Sequence, residues 1–221
     1  ITSINLEAGS FVDVLDVCTG DTVNLFDGIT GYQANGTWSS SNTNIATVNS
    51  SGVVTSVAAG TATISYTITG TGGCADATAT RTVTVSPASV AGSIAGAATV
   101  CTGTNSTTLT LSGNTGSIQW QSSTDATNYS NISGATAATY TATNLTTTTY
   151  YKAVVTSGAC ASATTSAATI TVASVPTAAT ITGNTSVCSN GTSTLSASIS
   201  GGTWASATPA VATVDPSTGV V

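Results

Sequence analysis

The chain has 221 residues, of which two are basic, eight are acidic and none is histidine, for a net charge of −6. Without histidine, Ser-His-Asp catalysis, histidine–zinc centres and imidazole pH switches are excluded. Two basic side chains cannot neutralise a phosphate backbone or hold an anionic lipid surface, so nucleic-acid binding and basic-patch membrane attachment are excluded as well. The 49 Thr and 31 Ser must supply the polar surface, because only 5% of the residues are charged.

A membrane-spanning segment is not expected, although the mean hydropathy is +0.31. That value comes from scattered Ala and Val, and no stretch approaches the roughly 18 uninterrupted apolar residues of a spanning helix. Residues 1–10 also lack the basic and apolar regions of a signal peptide. The sequence therefore predicts no membrane insertion and reads as a mature or excised piece of an exported protein.

The acidic residues concentrate near the start of the chain. Five of the eight fall in the first 27 positions, namely Glu7, Asp13, Asp16, Asp21 and Asp27. Calcium at a module junction would use such oxygens, but no EF-hand or repeat-type calcium spacing is present. As a carboxylate pair for glycoside hydrolysis they would need a cleft that nothing else in the sequence builds. We expect ordinary turn and cap residues, with no metal and no cofactor.

Three similar copies follow one another along the chain. Each opens on a cysteine and reaches a tryptophan 16 to 20 residues later, and the first two carry a second cysteine 56 or 59 residues after the first. The opening cysteines are Cys18, Cys101 and Cys188, the tryptophans are Trp38, Trp120 and Trp204, and the second cysteines are Cys74 and Cys160. Short Pro-containing linkers near residues 86–88 and 174–176 place the boundaries at 1–87, 88–174 and 175–221.

Alternation of β-branched or aromatic residues with small polar ones predicts strands throughout. The clearest cover Thr61–Thr69, Ala79–Val85, Tyr150–Thr156 and Thr169–Val172. About seven short strands per copy, in a Cys…Trp…Cys order, are typical of an immunoglobulin-like sandwich. The predicted fold class is therefore all-β, with tandem immunoglobulin-like sandwiches. The three tryptophans recur at one position, which favours core packing over sugar stacking.

The third copy differs from the first in length. Residues 204–221 match residues 38–54, but the strands that follow residue 54 have no counterpart after Val221. We expect a third module that is incomplete at its C-terminus, with the partner of Cys188 beyond the chain end. In the alternative, another molecule supplies the missing strands and the chain is the subunit of a polymer.

The cysteines are expected to form disulfides, which indicates an oxidising compartment. Pairing within each module, Cys18–Cys74 and Cys101–Cys160, is the default prediction. Cys18 precedes the second strand of the sandwich, however, whereas Cys74 follows a late strand at the opposite end. A strand of about eight residues spans roughly 26 Å, and a disulfide needs a Cα separation of roughly 4.4–6.8 Å. A staggered Cys18–Cys160 bridge between modules is therefore the second hypothesis.

Copies one and three resemble bacterial Ig-like group 2 (BIG2) modules through residues 38–66 and 204–221. Copy two, through residues 119–162, is similar to Ig-like modules of large secreted Bacteroidetes surface proteins. The combination resembles gliding-motility adhesins of the SprB type, which are exported by type IX secretion. The resemblance implies non-catalytic spacers and adhesive or filamentous elements. Asp21-Thr22-Val23 resembles the Bacteroidetes O-glycosylation motif, which implies Thr22 as a glycosylation site.

These observations predict a non-catalytic structural or adhesive segment of a large secreted cell-surface adhesin or extracellular filament. Its expected partners are neighbouring modules, other copies in a fibre, and surface glycans or proteins that the sequence does not specify. An alternative is a set of spacer modules of a secreted polysaccharide-active enzyme whose catalytic domain lies elsewhere. A carbohydrate-binding module would need exposed aromatic side chains, for which only Phe11, Phe26 and Tyr32 are spare.

Overall fold

The structure, a computed structural model, describes residues 8–11 and 15–221, which divide between Ala173 and Ser174 into two compact units. Every regular element described is a β-strand except one short 3-10 helix, Leu25–Gly28. The first unit contains two β-sandwiches, which meet at a linker of residues 87–89. The all-β prediction is confirmed.

The first sandwich packs a four-stranded sheet against a three-stranded one, with a small hairpin at its side. Its strands are β1 (Ser10–Phe11), β2 (Leu15–Cys18), β3 (Thr22–Asn24), β4 (Ile29–Thr30), β5 (Thr37–Ser40), β6 (Ala46–Val48), β7 (Val53–Ser56), β8 (Gly60–Ile68) and β9 (Ala77–Ser86). The large sheet has the order β2-β9-β8-β5, the small sheet β3-β7-β6, and β1 pairs with β4. All these pairs are antiparallel except β2 with β9, which run parallel along the edge.

The second sandwich repeats this plan with a six-stranded sheet and a three-stranded one. Its strands are β10 (Ser93–Ala95), β11 (Ala98–Cys101), β12 (Ser106–Ser112), β13 (Ser117–Ser123), β14 (Ser130–Asn131), β15 (Thr139–Thr143), β16 (Thr149–Thr156), β17 (Ala163–Thr164) and β18 (Ala168–Ala173). The large sheet has the order β11-β18-β16-β13-β14, with β17 also on β16, and β11 runs parallel to β18.

Strict alternation along the chain creates the two cores. In β8 the inward positions Ala62, Ile64, Tyr66 and Ile68 are buried, while the Thr and Ser residues between them face outward. Successive side chains of a strand point to opposite faces, so a Thr-apolar repeat gives one hydroxyl face and one core face. The four strand ranges predicted from alternation fall on β8, β9, β16 and β18.

The tryptophans differ in burial. Trp120 on β13 is completely buried, and its Nε1 donates a hydrogen bond to the Ala137 carbonyl oxygen at 2.8 Å. Trp38 holds the corresponding place on β5, is half-buried, and lies 4.8 Å from Tyr66 between ring centroids. Its Nε1 is buried without a hydrogen-bond partner. Trp204, in the second unit, is half-buried.

The second unit contains one short hairpin, β19 (Ile181–Thr182) with β20 (Ser196–Ala197). Its Asp215 turn reproduces a turn of the first sandwich, because Asp215 accepts backbone hydrogen bonds as Asn49 does. A Cβ at Gly219 would crowd Trp204, just as one at Gly52 would crowd Trp38, and both glycines have φ near +70°. The unit is therefore built locally like residues 25–54 of the first sandwich.

Candidate functional site

A joint that contains a disulfide connects the two sandwiches of the first unit. One half of it is the end of β2, where Cys18 lies beside Ser86, the last residue of β9. The backbone N–H and side-chain hydroxyl of Thr19 both donate to the Ser86 carbonyl oxygen, at 3.0 and 2.9 Å. The buried Ser56 hydroxyl donates to the Cys18 carbonyl oxygen at 2.6 Å. These hydrogen bonds fix the backbone conformation at Cys18 and Thr19, where β2 ends.

The other half is the turn Ser157-Gly158-Ala159-Cys160, which follows β16 in the second sandwich. The Cys160 N–H donates to the Ser157 carbonyl oxygen at 2.9 Å, which closes the turn. Gly158 has φ +50°, and a Cβ there would overlap the Ser86 side chain. Glycine is needed at this position because the turn lies directly against the end of the first sandwich.

Linker residues complete the contact between the two halves. The Ser157 N–H donates to the Ser89 hydroxyl at 2.9 Å, and the Cys160 Sγ lies 3.2 Å from the Pro87 carbonyl oxygen. Cys160 and Ser157 are both buried. The linker is therefore held by the sandwich that follows it, and it does not act as a flexible tether.

Cys18 and Cys160 are bonded to each other, with a Cα separation of 4.8 Å and a sequence separation of 142. This is the staggered pairing that the sequence left open as the second hypothesis. The default pairs within modules, Cys18–Cys74 and Cys101–Cys160, are wrong in this structure, where Cys74 and Cys101 are free and exposed.

The length of the strands explains why pairing within a module fails. Cys18 lies beside Ser86 at one end of β9, and Cys74 precedes Ala77 at the other end. The ten residues of β9, at roughly 3.3 Å each, keep the two cysteines about 30 Å apart. In the second sandwich, the length of β16 separates Cys101 from Cys160 in the same way.

Two exposed carboxylates serve as turn anchors. Asp125 accepts hydrogen bonds from the side chain and backbone of Asn128 and from the Ser123 hydroxyl, which hold the pKa of its carboxyl well below the usual range. The Ser217 hydroxyl and neighbouring backbone N–H groups lower the Asp215 pKa in the same manner. Carboxyl groups that are ionised and fully engaged at neutral pH stabilise turns and are unsuited to general acid–base chemistry.

Burial raises the pKa of Tyr151 to about 12, and the neighbouring Tyr140 adds a smaller contribution. The side chain is almost fully buried in the second core, and its ring centroid lies 5.4 Å from that of Tyr140. Tyr151 lies on the predicted strand Tyr150–Thr156, but its pKa shift depends on neighbours that the alternation pattern does not reveal.

The remaining predicted site residues lie apart from the joint or at its margin. Thr22 is exposed at the start of β3, so its modification stays a prediction. Asp21 donates its backbone N–H to the Cys18 carbonyl oxygen and accepts from the Cys18 N–H, which makes it a turn residue of the joint. Glu7 and Asp13 lie outside the described residues. Within residues 8–11 and 15–221, no group of three or more Cys, Asp or Glu side chains is arranged to hold a metal ion.

Aromatic side chains of the first sandwich pack mainly on one another. Phe26 lies 5.1 Å from Tyr32 and 5.3 Å from Trp38 between ring centroids, and Phe11 lies 6.0 Å from Trp38. Of the three aromatic residues considered for sugar stacking, only Tyr32 counts as exposed. Among the described residues, no helix has the length and apolar character needed to cross a bilayer.

The two sandwiches match two different family models. Residues 19–79 match the bacterial Ig-like domain (group 2), and residues 90–174 match a domain of unknown function (DUF8696). No curated protein sequence matches the chain. The first match and the sheet topology together show tandem immunoglobulin-like sandwiches.

Several solved structures align with this chain at low identity. The four N-terminal Ig domains of Dscam1 isoform 6.9 are 12% identical, with 77% of this chain and 45% of that chain covered, at a TM-score of 0.42. Domains 1–6 of the surface layer protein SbsC are 21% identical, with coverages of 78% and 24%, at 0.27. A SusE-like, surface-located polysaccharide-binding protein from the Bacteroides thetaiotaomicron heparin utilisation locus is 13% identical, with coverages of 76% and 34%, at 0.28. This chain spans less than half the length of each.

Proposed function

We propose that the chain is a non-catalytic structural segment of a large secreted cell-surface protein of the adhesin type, built from modules 1–87, 88–174 and 175–221. The observation that carries the proposal is the Cys18–Cys160 bridge, which ties one sandwich to the next. In this role the modules hold a binding or adhesive part of the protein away from the cell, and the bridge keeps consecutive modules from separating.

The chemistry of the bridge supports an extracellular location. Disulfides form and persist in oxidising compartments and are rare in the cytosol. The surface of the two sandwiches is formed by threonine and serine, with only 5% charged residues in the whole chain. Such a surface has few charged groups. The chain contains one Arg and one Lys, so trypsin-like proteases find almost no cleavage sites in it.

The position of the bridge supports a load-bearing role. A pulling force that enters before Cys18 and leaves after Cys160 passes through the S–S bond and bypasses the residues between them. Both hydrophobic cores draw most of their strands from this bypassed stretch. The bridge therefore protects two folded sandwiches from tension with one covalent bond.

Single-molecule force spectroscopy tests this role directly. Chains are pulled from their ends, and the parent for comparison carries Cys74→Ser, Cys101→Ser and Cys188→Ser so that only the bridged pair remains. Because 142 positions separate the bridged residues, their release adds about 500 Å of extended chain.

We expect the oxidised parent to lack this extension, and the same chain in reductant, or with Cys18→Ser and Cys160→Ser added, to show it. Equal total extension with and without the bridge would overturn the load-bearing proposal.

A further inference from the structure

Cys74 holds in the first sandwich the position that Cys160 holds in the second, and Cys101 holds in the second sandwich the position that Cys18 holds in the first. We propose that they are the unpaired halves of a second joint of this kind, in which Cys101 of one chain bonds to Cys74 of a second copy, head to tail. The inference deepens the proposed function and rests on it, since it identifies the partner as another module of the same type. The formed Cys18–Cys160 joint of this chain is the structural precedent for the proposed bond.

The face around Cys101 reproduces the face around Cys18. Cys101 ends β11 beside Ala173, the last residue of β18, as Cys18 ends β2 beside Ser86. The Thr102 N–H donates to the Ala173 carbonyl oxygen at 2.9 Å, matching the bond from Thr19 to Ser86 at 3.0 Å. The two cysteines therefore hold the same position, at the C-terminal end of a strand that pairs in parallel with the last strand of its sandwich.

Cys18 and Cys101, which we call the receiving cysteines, also share a side-chain hydrogen bond to their backbone carbonyl oxygen. The Asn105 side-chain amide donates to the Cys101 carbonyl oxygen at 2.9 Å, where Ser56 donates to Cys18 in the formed joint. Asn105 is itself fixed by two bonds of 2.8 Å with the backbone of Leu145. These bonds within the second sandwich orient Cys101, and its side chain is exposed.

The turn around Cys74 reproduces the inserting turn around Cys160. Residues 71–74 read Thr-Gly-Gly-Cys, and residues 157–160 read Ser-Gly-Ala-Cys. In both turns the cysteine N–H donates to the carbonyl oxygen of the first residue, at 3.3 Å for Cys74 and 2.9 Å for Cys160. Gly72 has φ +67° and Gly158 has φ +50°, and Gly72 has open space around it where Gly158 meets its partner.

Each chain thus carries one receiving face and one inserting turn, and the cysteine of each is unbonded and exposed. A contact between different surfaces of identical chains is head to tail and stays open-ended unless its rotation closes a ring. In the covalent step, one thiol on each chain is oxidised, an S–S bond forms between Cys101 and Cys74, and two protons and two electrons pass to a disulfide oxidant. With oxidised glutathione, two molecules of glutathione thiol are the product.

The test mixes two full-length variants under equilibrating conditions. One keeps Cys101 as its only free thiol (Cys74→Ser and Cys188→Ser), and the other keeps Cys74 (Cys101→Ser and Cys188→Ser). They are incubated at equal concentration in a glutathione redox buffer, and the disulfide-linked dimers are counted by mass spectrometry. Because thiol exchange is reversible, the mixture reports preference and not speed.

We expect the Cys101–Cys74 heterodimer to exceed each homodimer by about tenfold, where random pairing gives about twofold. The matched control replaces the Cys101 variant by one that keeps Cys188 alone, which is exposed but ends no strand in the described structure. This control should pair randomly.

Random ratios in the first mixture, or no dimer at all, would overturn the inference. Equal melting temperatures of all variants and the parent establish that each is folded. The force measurement on single chains does not depend on Cys74 or Cys101, so either proposal can fail while the other stands.

Discussion

Removal of the Cys18–Cys160 bridge should destabilise both sandwiches of the first unit. The variant replaces both cysteines by alanine in a parent whose three free cysteines are serine, so that no thiol can form a new pair. In the chain-entropy account, closing a loop of 142 residues restricts the unfolded chain by about 5 kcal/mol at 25 °C. If the second sandwich stays folded while the first unfolds, the open loop is roughly 70 residues and the effect about 4.4 kcal/mol.

Differential scanning calorimetry measures this difference. Since 1 kcal/mol corresponds to about 2–4 °C for a unit of this size, we expect the melting temperature to fall by roughly 10–20 °C. The transition should also separate into two, because the bridge is the covalent constraint that makes the unfolding of one sandwich depend on the other. The bridged parent with the same three serines is the control.

Two results would refute this reasoning. An unchanged melting temperature would mean that the bridge does not restrict the unfolded chain. A peptide map of the unreduced wild-type chain that shows Cys18 joined to Cys74 would remove the intermodule pairing itself. A single Cys160→Ala change distinguishes the pairings further, because it should destabilise the first sandwich although it lies in the second.

Three further outcomes follow from the structure. Trp120→Ala, which empties the centre of the second core, should lower the unfolding free energy by about 3–5 kcal/mol in a denaturant titration; a loss below about 1 kcal/mol would contradict full burial. Gly158→Ala should lower the fraction of bridged chain after oxidation, because the new Cβ would strike Ser86, whereas Gly134→Ala, also at positive φ but with open space around it, should leave that fraction unchanged. Because the pKa of Tyr151 is raised, the folded state keeps a phenolic proton that the unfolded state releases, so this stabilisation is full below pH 10 and is lost as pH rises towards about 12. Ultraviolet absorbance of the phenolate and unfolding curves at alkaline pH measure the effect. Titration of Tyr151 near pH 10 in the folded chain would refute the prediction.

The sequence predicted the strands well because their signal is local. Alternation of threonine with apolar residues sets which face of a strand is buried, and β8 and β9 carry it over nine and ten residues. The recurrence of tryptophan at one position in each copy predicted that Trp120 lies in the core, where it is completely buried. Burial of Trp38 and Trp204 is less complete, because it depends on how many strands cover each ring.

The disulfide partner could not be chosen from the sequence alone. The cysteine spacing favours pairing each opening cysteine with the next one along the chain, and the span of a predicted strand raised the staggered pair only as a second hypothesis. The ten residues of β9 show that the pair within the module is too far apart. The serines of the joint carry no separate sequence signal. The one sequence pattern associated with the joint is Ser/Thr-Gly-x-Cys, which residues 71–74 and 157–160 share.

Comparison of the second unit with the first sandwich shows what the late strands contribute. Leu25, Ala46 and Val54 are almost completely buried in the first sandwich, where Ile64 of β8 and Val83 of β9 pack over them. Their counterparts in the second unit, Leu195, Ala212 and Val221, are half-buried. The Leu195 N–H still donates to the Gly219 carbonyl oxygen at 3.0 Å, as Leu25 does to Gly52 at 2.9 Å.

The backbone geometry of these turns is therefore encoded within residues 180–221, whereas burial of their side chains is not. Burial removes apolar surface from water at about 25 cal/mol per Å², and among the described residues of this unit no strand like β8 or β9 covers that surface. Val211, which corresponds to Ile45, is 83% exposed. The unit thus has the turns of an immunoglobulin-like module with little of its hydrophobic stabilisation, and we expect it to unfold at a lower denaturant concentration than the first unit. Trp204 fluorescence in a Trp38→Phe, Trp120→Phe chain measures this midpoint, and a midpoint equal to that of the first unit would show that local turn geometry alone stabilises the unit.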